Sequence, residues 1–285
     1  MASLKSSIAG QSEAMSTITQ PFTSVYGPVQ SWRFGRSLGI DPIGAVSTCS
    51  FNCVYCQLGE IQHQRCNRQV FIPTQTIQQD LQAFLVCPAN TITLSGSGEP
   101  TLAQNLGEIL AMAKAMTMKP IGVLTNGSLL SDRSVREELA IAEWVAVKMD
   151  AISADSFRRI NRPMPTLKLQ DIWAGLLQFR QIYAGHLAIQ TMLLTPWSDR
   201  DQAEYIHQMQ VLRPDEIQLN TPTRPRSLTH QLIARGNHPP DACPYPTQPL
   251  KPVKADVLQQ LGDRIESVMG IPVRYPLLKQ EREQW

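Results

Sequence analysis

The sequence predicts an α/β fold, a partial, TIM-like (β/α)6 barrel followed by a C-terminal extension. Three observations predict it. Short apolar, β-branched runs alternate with longer stretches of helical period between residues 43 and 219, the pattern of a parallel sheet built from βα units. The apolar runs carry or close on polar residues: Cys49, Glu99, Thr125 with Asn126, Lys148 with Asp150, Gln190 and Asn220. In barrels of this kind the site lies at the C-terminal ends of the strands, which makes those residues its candidates. The 285 residues, 42% of them hydrophobic and 18% charged, suit one large globular domain or two small ones.

Residues 1–24 are rich in Ser, Thr, Gln and Ala without a period, and read as a mobile tail. The next stretch, Tyr26-Gly27-Pro28-Val29 and Trp32-Arg33-Phe34-Gly35-Arg36-Ser37-Leu38-Gly39, reads as a loop on the barrel edge. Its Arg33 and Arg36 either pack there or meet an anionic ligand. Residues 43–48 are the expected first strand, delivering Cys49. Residues 57–73 lack a helical period and hold His63 and Cys66. Residues 74–85 are helical, capped by Thr74 or Thr76. The run Asn90-Thr91-Ile92-Thr93-Leu94 is a strand entering the tight loop Ser95-Gly96-Ser97-Gly98-Glu99-Pro100.

Helix 103–116 places Leu106, Ile109, Leu110 and Ala113 on one face. Strand 121–124, helix 132–140, strand 144–147 and helices 154–160 and 167–183 follow. Strand 187–194, helix 199–212 and strand 216–219 complete the alternation. From Thr223 the prolines at 225, 239, 240, 244, 246, 249 and 252 mark an irregular crossing segment. A helix over 253–268, ended by Gly270, and a last strand over 271–275 close the chain. The expected units are thus the tail 1–24, the barrel 25–222, and an extension 223–285 packed on it.

The chemistry is concentrated in Cys49-Ser50-Phe51-Asn52-Cys53-Val54-Tyr55-Cys56. Thiolates suit iron–sulfur clusters and zinc. A [4Fe–4S] cluster normally takes four cysteines, so a triplet leaves one iron open to a small molecule, a catalytic rather than a structural arrangement. The alternative is half of a zinc site, completed by Cys66, His63, Cys87 or Cys243. In the second loop, Gly96 and Gly98 allow backbone to approach a ligand closely, and Glu99 offers an acceptor-only partner for a cation.

The cysteine spacing, with Tyr55 before the third cysteine, resembles the cluster motif of the radical S-adenosylmethionine (SAM) superfamily, and Gly98-Glu99-Pro100 resembles its Gly-Glu-Pro motif. The resemblance implies a [4Fe–4S] cluster on Cys49, Cys53 and Cys56. It implies SAM chelated to the open iron, Tyr55 by the adenine and Glu99 on the methionyl ammonium. SAM is then cleaved to a 5′-deoxyadenosyl radical that takes hydrogen from a substrate. Asn126 is either a partner of the SAM ribose or carboxylate, or turn chemistry. Lys148 and Asp150 are expected to contact SAM or substrate, and Gln190 and Asn220 to lie at the same barrel mouth.

Further segments are similar to the subgroup related to the wyosine tRNA-modification synthase: Thr125-Asn126-Gly127, Lys148-Met149-Asp150-Ala151, Ile160-Asn161-Arg162-Pro163 and Gln218-Leu219-Asn220-Thr221-Pro222. That synthase uses extra cysteines and a lysine ahead of the SAM-cluster motif. Here no cysteine precedes Cys49 and no lysine lies between Lys5 and Lys114, which leaves the substrate open.

The reading is therefore a radical SAM enzyme with RNA, a protein or a small molecule as substrate, Arg33, Arg36, Arg224 and Arg226 as phosphate candidates, and flavodoxin or ferredoxin as reductant. A non-catalytic iron–sulfur or zinc scaffold and a radical-installing activase are the other readings. A net charge of +2 does not by itself indicate nucleic acid. The absence of a long apolar stretch and of a secretory pattern, with six cysteines that form no disulfide framework, points to a reducing cytoplasm and no membrane.

Overall fold

The computed structural model describes residues 22–236 and 243–276. Most of the expected N-terminal tail, Pro239, Pro240 and the last nine residues lie outside them. One eight-stranded sheet curls through the molecule with its strands in chain order. They are β1 (Val25–Ser31), β2 (Gly35–Ile40), β3 (Thr91–Leu94), β4 (Ile121–Thr125), β5 (Trp144–Lys148), β6 (His186–Met192), β7 (Glu216–Asn220) and β8 (Val273–Arg274). β1 pairs antiparallel with β2. From β2 onward every neighbour is parallel. This is the expected open half-barrel.

The first parallel strand is not the expected 43–48, where only Thr48 and Cys49 join a two-residue ladder with His63 and Gln64. It is Gly35–Ile40, whose Leu38 and Ile40 face Ile92 and Leu94 across the register. The glycines and arginines of that stretch disguised its period-2 pattern. Residues 25–40 are thus a hairpin, not a loop.

The strands alternate sides. Ile92, Val123, Val145, Leu187, Ile189, Ile217 and Leu219 are fully buried on the convex side. They pack with buried residues of α2 (Leu106–Thr117), α5 (Leu169–Ile182), α6 (Asp199–Leu212) and α7 (Ala255–Met269), and each large side chain buried there contributes about 1.5–3 kcal/mol. α1 (Thr74–Gln82), α3 (Arg133–Leu139) and α4 (Ala154–Ile160) complete the helices. Three α-helix starts carry side-chain caps: Asp132 accepts from Ser134 N, Ser153 and Ser156 form a capping box, and Ser198 accepts from Asp201 N, whereas α1 starts after Pro73 with no side-chain cap from Thr74 or Thr76. On the concave side the alternate positions Ser37, Thr93, Lys148, Gln190 and Asn220 are polar and line a cavity. Polar inward residues leave the barrel open where an apolar set would fill it.

Two contacts close the open barrel. At the N-terminal ends of the strands, the β1–β2 tip lies across the bottom: Phe34 stacks on Trp144 with ring centroids 4.8 Å apart, and Arg274 Nη2 of β8 donates to the Trp32 carbonyl at 2.8 Å. At the other end, Arg235 of the segment after β7 reaches Asp41 at 2.8 Å and the Thr23 carbonyl at 2.7 Å. Its guanidinium lies over the Phe22 and Tyr26 rings. Among the described residues no helix is long and apolar enough to cross a membrane.

The side chains of Arg235 and Asp41 are 8% and 0% exposed, so removing one partner strands a buried charge. Arg235→Met is expected to lower stability by about 3–5 kcal/mol, read as a lower urea midpoint. Arg133→Met, which breaks the exposed Arg133–Glu137 pair, is expected to cost less than about 1 kcal/mol.

Candidate functional site

One cavity of ≈ 350 Å³ runs down the inside of the barrel, within the size range of small-molecule sites. Cys49, Cys53, Cys56, Tyr55, Gly98, Glu99, Thr125, Asn126, Lys148, Gln190 and Asn220 all line it. Pro100 and Asp150 do not. Pro100 is buried at the start of a 3-10 turn, Pro100–Leu102. Asp150, 2% exposed, is turned into the wall. It accepts from the Tyr55 hydroxyl, from Asn161 Nδ2 at 2.7 Å and from Met192 N at 2.9 Å. Asp150 thereby fixes the Tyr55 ring, over which Lys148 Nζ sits 5.1 Å from the centroid.

The cysteine loop is held from two sides. Asn52 N donates to the Asn161 carbonyl and Val54 N to the Ile160 carbonyl, and Phe51 bridges to Pro163. The Ile160-Asn161-Arg162-Pro163 segment therefore cradles the loop. Opposite it, Asn126 Nδ2 donates to Ser50 Oγ at 2.8 Å while Asn126 Oδ1 accepts from Ser128 N at 2.9 Å. The Asn126 amide is thus a brace for the cysteine loop as well as a turn residue.

Each sulfur meets an N–H donor: Cys49 from Phe51 N at 3.4 Å and Asn126 Nδ2 at 3.5 Å, Cys53 from Asn161 Nδ2 at 3.6 Å, and Cys56 from Leu58 N. Such donors orient metal-bound thiolates and tune the metal they hold. Burial pushes all three thiols up, Cys53 to about 12. The shift favours the protonated thiol, so uptake of a metal by these cysteines would release protons.

Glu99 is 2% exposed. Its Oε1 accepts from Thr125 Oγ1 at 2.6 Å, Thr101 Oγ1 at 2.7 Å and Thr101 N at 3.1 Å, and its Oε2 accepts from Asn126 N at 2.7 Å. Burial raises its pKa, and these donors work against the rise. The carboxylate is rigid and faces the cavity beside the cysteines, with acceptor capacity left on Oε2, which suits a cationic ligand group. The remaining candidates differ in freedom. Gln190 donates to Gln218 at 3.0 Å, and Asn220 Oδ1 accepts from Thr221 N at 2.9 Å.

The two loops meet at Gly98, where a Cβ would lie 1.8 Å from the Thr48 carbonyl oxygen, and Glu99 N donates to that same oxygen at 3.0 Å. Asp41 supports the approach by accepting from Ser97 N and Ser97 Oγ. Sequence reasoning missed Asp41, Asn161 as a sulfur donor, and Arg235. Of the arginine candidates, Arg33 and Arg224 line the cavity, whereas Arg226 does not and Arg36 is exposed outside it. Cys66 also lies outside, with its thiol on the Thr166 side chain. Among the described residues no three His, Cys, Asp or Glu side chains are already gathered around a single metal-ion position.

Residues 45–209 match the family described as the Radical SAM superfamily, and the chain belongs to it. It is a radical SAM enzyme, not a non-catalytic scaffold, and its cofactors are a [4Fe–4S] cluster and SAM. More particularly, it is 51% identical over 256 residues to a UPF0026 protein of Synechocystis sp., covering 89% of this chain and 96% of that one. A UPF0026 protein of Methanocaldococcus jannaschii is 35% identical over 214 residues, covering 72% and 65%. The fold is similar to that of Streptococcus suis SuiB bound to S-adenosylmethionine, with a TM-score of 0.57 at 13% identity, covering 82% of this chain. The chain spans 49% of that longer protein.

Gly98→Ala is expected to push the Thr48 carbonyl, and with it Cys49, out of place at a cost of about 1–3 kcal/mol. Far-UV circular dichroism should remain native while iron uptake on anaerobic reconstitution falls sharply. Full iron loading would show that the close approach is not required.

Proposed function

We propose that Cys49, Cys53 and Cys56 hold the [4Fe–4S] cluster and that SAM lies in the upper cavity, against Glu99, Tyr55, Thr125, Asn126, Lys148, Gln190 and Asn220. One observation carries the reading: three thiols, each with its own N–H donor, share a cavity with a rigid buried carboxylate at the strands' C-terminal ends. When bound, the cluster and SAM supply reductive cleavage of SAM to a 5′-deoxyadenosyl radical that abstracts hydrogen from the substrate.

The chain's own residues bind, orient and shield. Glu99 takes the methionyl ammonium through Oε2. The Tyr55 ring, pinned by Asp150, offers a fixed wall for the adenine. Pro100 shapes the turn that aims Glu99. The barrel interior, closed below by the hairpin tip, keeps bulk water from the reacting atoms.

Substrate enters from the C-terminal mouth. The resemblance to the wyosine-related subgroup supports RNA as a substrate candidate. Pyruvate condensation is not part of the proposal, because no cysteine precedes Cys49 and no lysine lies between Lys5 and Lys114. Flavodoxin or ferredoxin is the proposed reductant and a reducing cytoplasm the proposed location. Residues 25–222 are the proposed catalytic unit, with residues 223–285 as its cover.

Anaerobic reconstitution followed by electron paramagnetic resonance, with and without SAM, tests this. A [4Fe–4S] signal that changes on adding SAM, with 5′-deoxyadenosine formed under reduction, is the expected result. Cys53→Ala should lose the cluster and Cys66→Ala should keep it; the reverse would assign the ligands differently. Glu99→Gln should retain the cluster and bind SAM about 10- to 100-fold more weakly, the worth of one hydrogen bond to a charged group.

A further inference from the structure

The lower half of the cavity carries a charge that the SAM site does not use. Arg33 enters at the N-terminal ends of the strands, where Glu216, the first residue of β7, is near enough to affect it. Asn220 at the mouth is four residues further along β7, about 13 Å at 3.3 Å per residue. The Arg33 guanidinium stacks on Trp32, 4.2 Å from the ring centroid. Its Nε is buried without a hydrogen-bond partner.

Glu216 is already engaged: Gln218 Nε2 donates to it at 2.6 Å, and Arg274 and His186 lie within 3.6 and 3.7 Å. From the mouth side Arg224 also lines the cavity, donating to Gln57 at 3.0 Å, and the two guanidiniums repel each other. Burial, then Arg224 and Arg274, push Arg33 down to about 9, which leaves it charged at neutral pH. A half-buried cation without a paired anion is costly, and a guanidinium stacked on an aromatic ring with its buried Nε unpartnered is suited to an oxyanion.

We infer that the floor of the barrel is an anion subsite, in which Arg33, with Arg224 above it, holds a phosphate or carboxylate group of the substrate while the reacting carbon faces SAM. The inference rests on the proposed SAM site only for the direction the substrate faces. It implies a substrate, or a substrate end, small enough to pass down the barrel and anionic at its leading end.

The test is isothermal titration of the cluster-reconstituted full chain with inorganic phosphate and, separately, with succinate, each with SAM present and absent. One or both anions should bind, and Arg33→Met should weaken that binding at least tenfold while its spectroscopic response to SAM stays as in the parent. If both bind, competition between them shows a shared subsite, and their relative affinities choose between phosphate and carboxylate. Arg33→Lys, which keeps the charge but not the fork, should fall between, and it serves as the variant if Arg33→Met does not fold. Anion binding that is absent from the parent, or unchanged in the variants, overturns the inference. A parent that binds anions at Arg33 but does not respond to SAM would sink the proposed function and leave the anion subsite standing.

Discussion

The Gly98–Thr48 contact is the constraint on which the site depends. A loop that follows β3 and a loop that follows β2 must come within one backbone thickness of each other, and only a residue without Cβ permits it. The shared Thr48 oxygen accepts from Glu99 N, so the acidic loop is hydrogen-bonded to the residue just before Cys49. The thiols and the carboxylate are therefore one rigid unit, each placed by the other.

A second layer holds that unit in the barrel. Asn126 and Asn161 each bond the cysteine loop and a sulfur. Through them the ends of β4 and α4 set the orientation of Cys49 and Cys53. Asp150 connects the same layer to Tyr55. Asp150 and Asn161 lie off the cavity and act on residues that line it, while Asn126 both lines the cavity and braces the cysteine loop. Around the proposed cluster site this is a division of labour in which outer partners fix the inner ones.

The barrel is an open sheet, so its interior needs closing. The hairpin tip and Arg274 close the bottom, and Arg235 ties the segment after β7 across the top edge beside Asp41. Both closures use arginine against backbone carbonyls or a carboxylate, with aromatic faces alongside. The result is a polar chamber, closed below and reached from the strands' C-terminal ends. Its cationic floor is as much a consequence of this architecture as the site at its mouth.

The sequence by itself determined the class of the protein. Cys49, Cys53, Cys56 and Glu99 lie in short motifs whose meaning is local, and the βα alternation was legible because each apolar run carries its own period. Asn126 and Lys148 were legible for the same reason, as the residues that end strands. The tertiary structure alone decided which polar residues face the cavity and which face the wall. Asp150 and Lys148 differ by two positions yet serve opposite sides, since the strand ends at Lys148 and its alternation ends with it. Asp41 and Arg235, 194 residues apart, carry no local signal of their partnership. Gly35–Ile40 escaped recognition as a strand because its inward positions are Gly35, Ser37 and Gly39, a choice that makes sense only once a cavity, not a packed core, lies on that side. Whether an arginine is a phosphate candidate or a solvated one, as with Arg33 and Arg36, depends on the hairpin folding under the barrel, which is a matter of long-range packing and not of spacing along the chain.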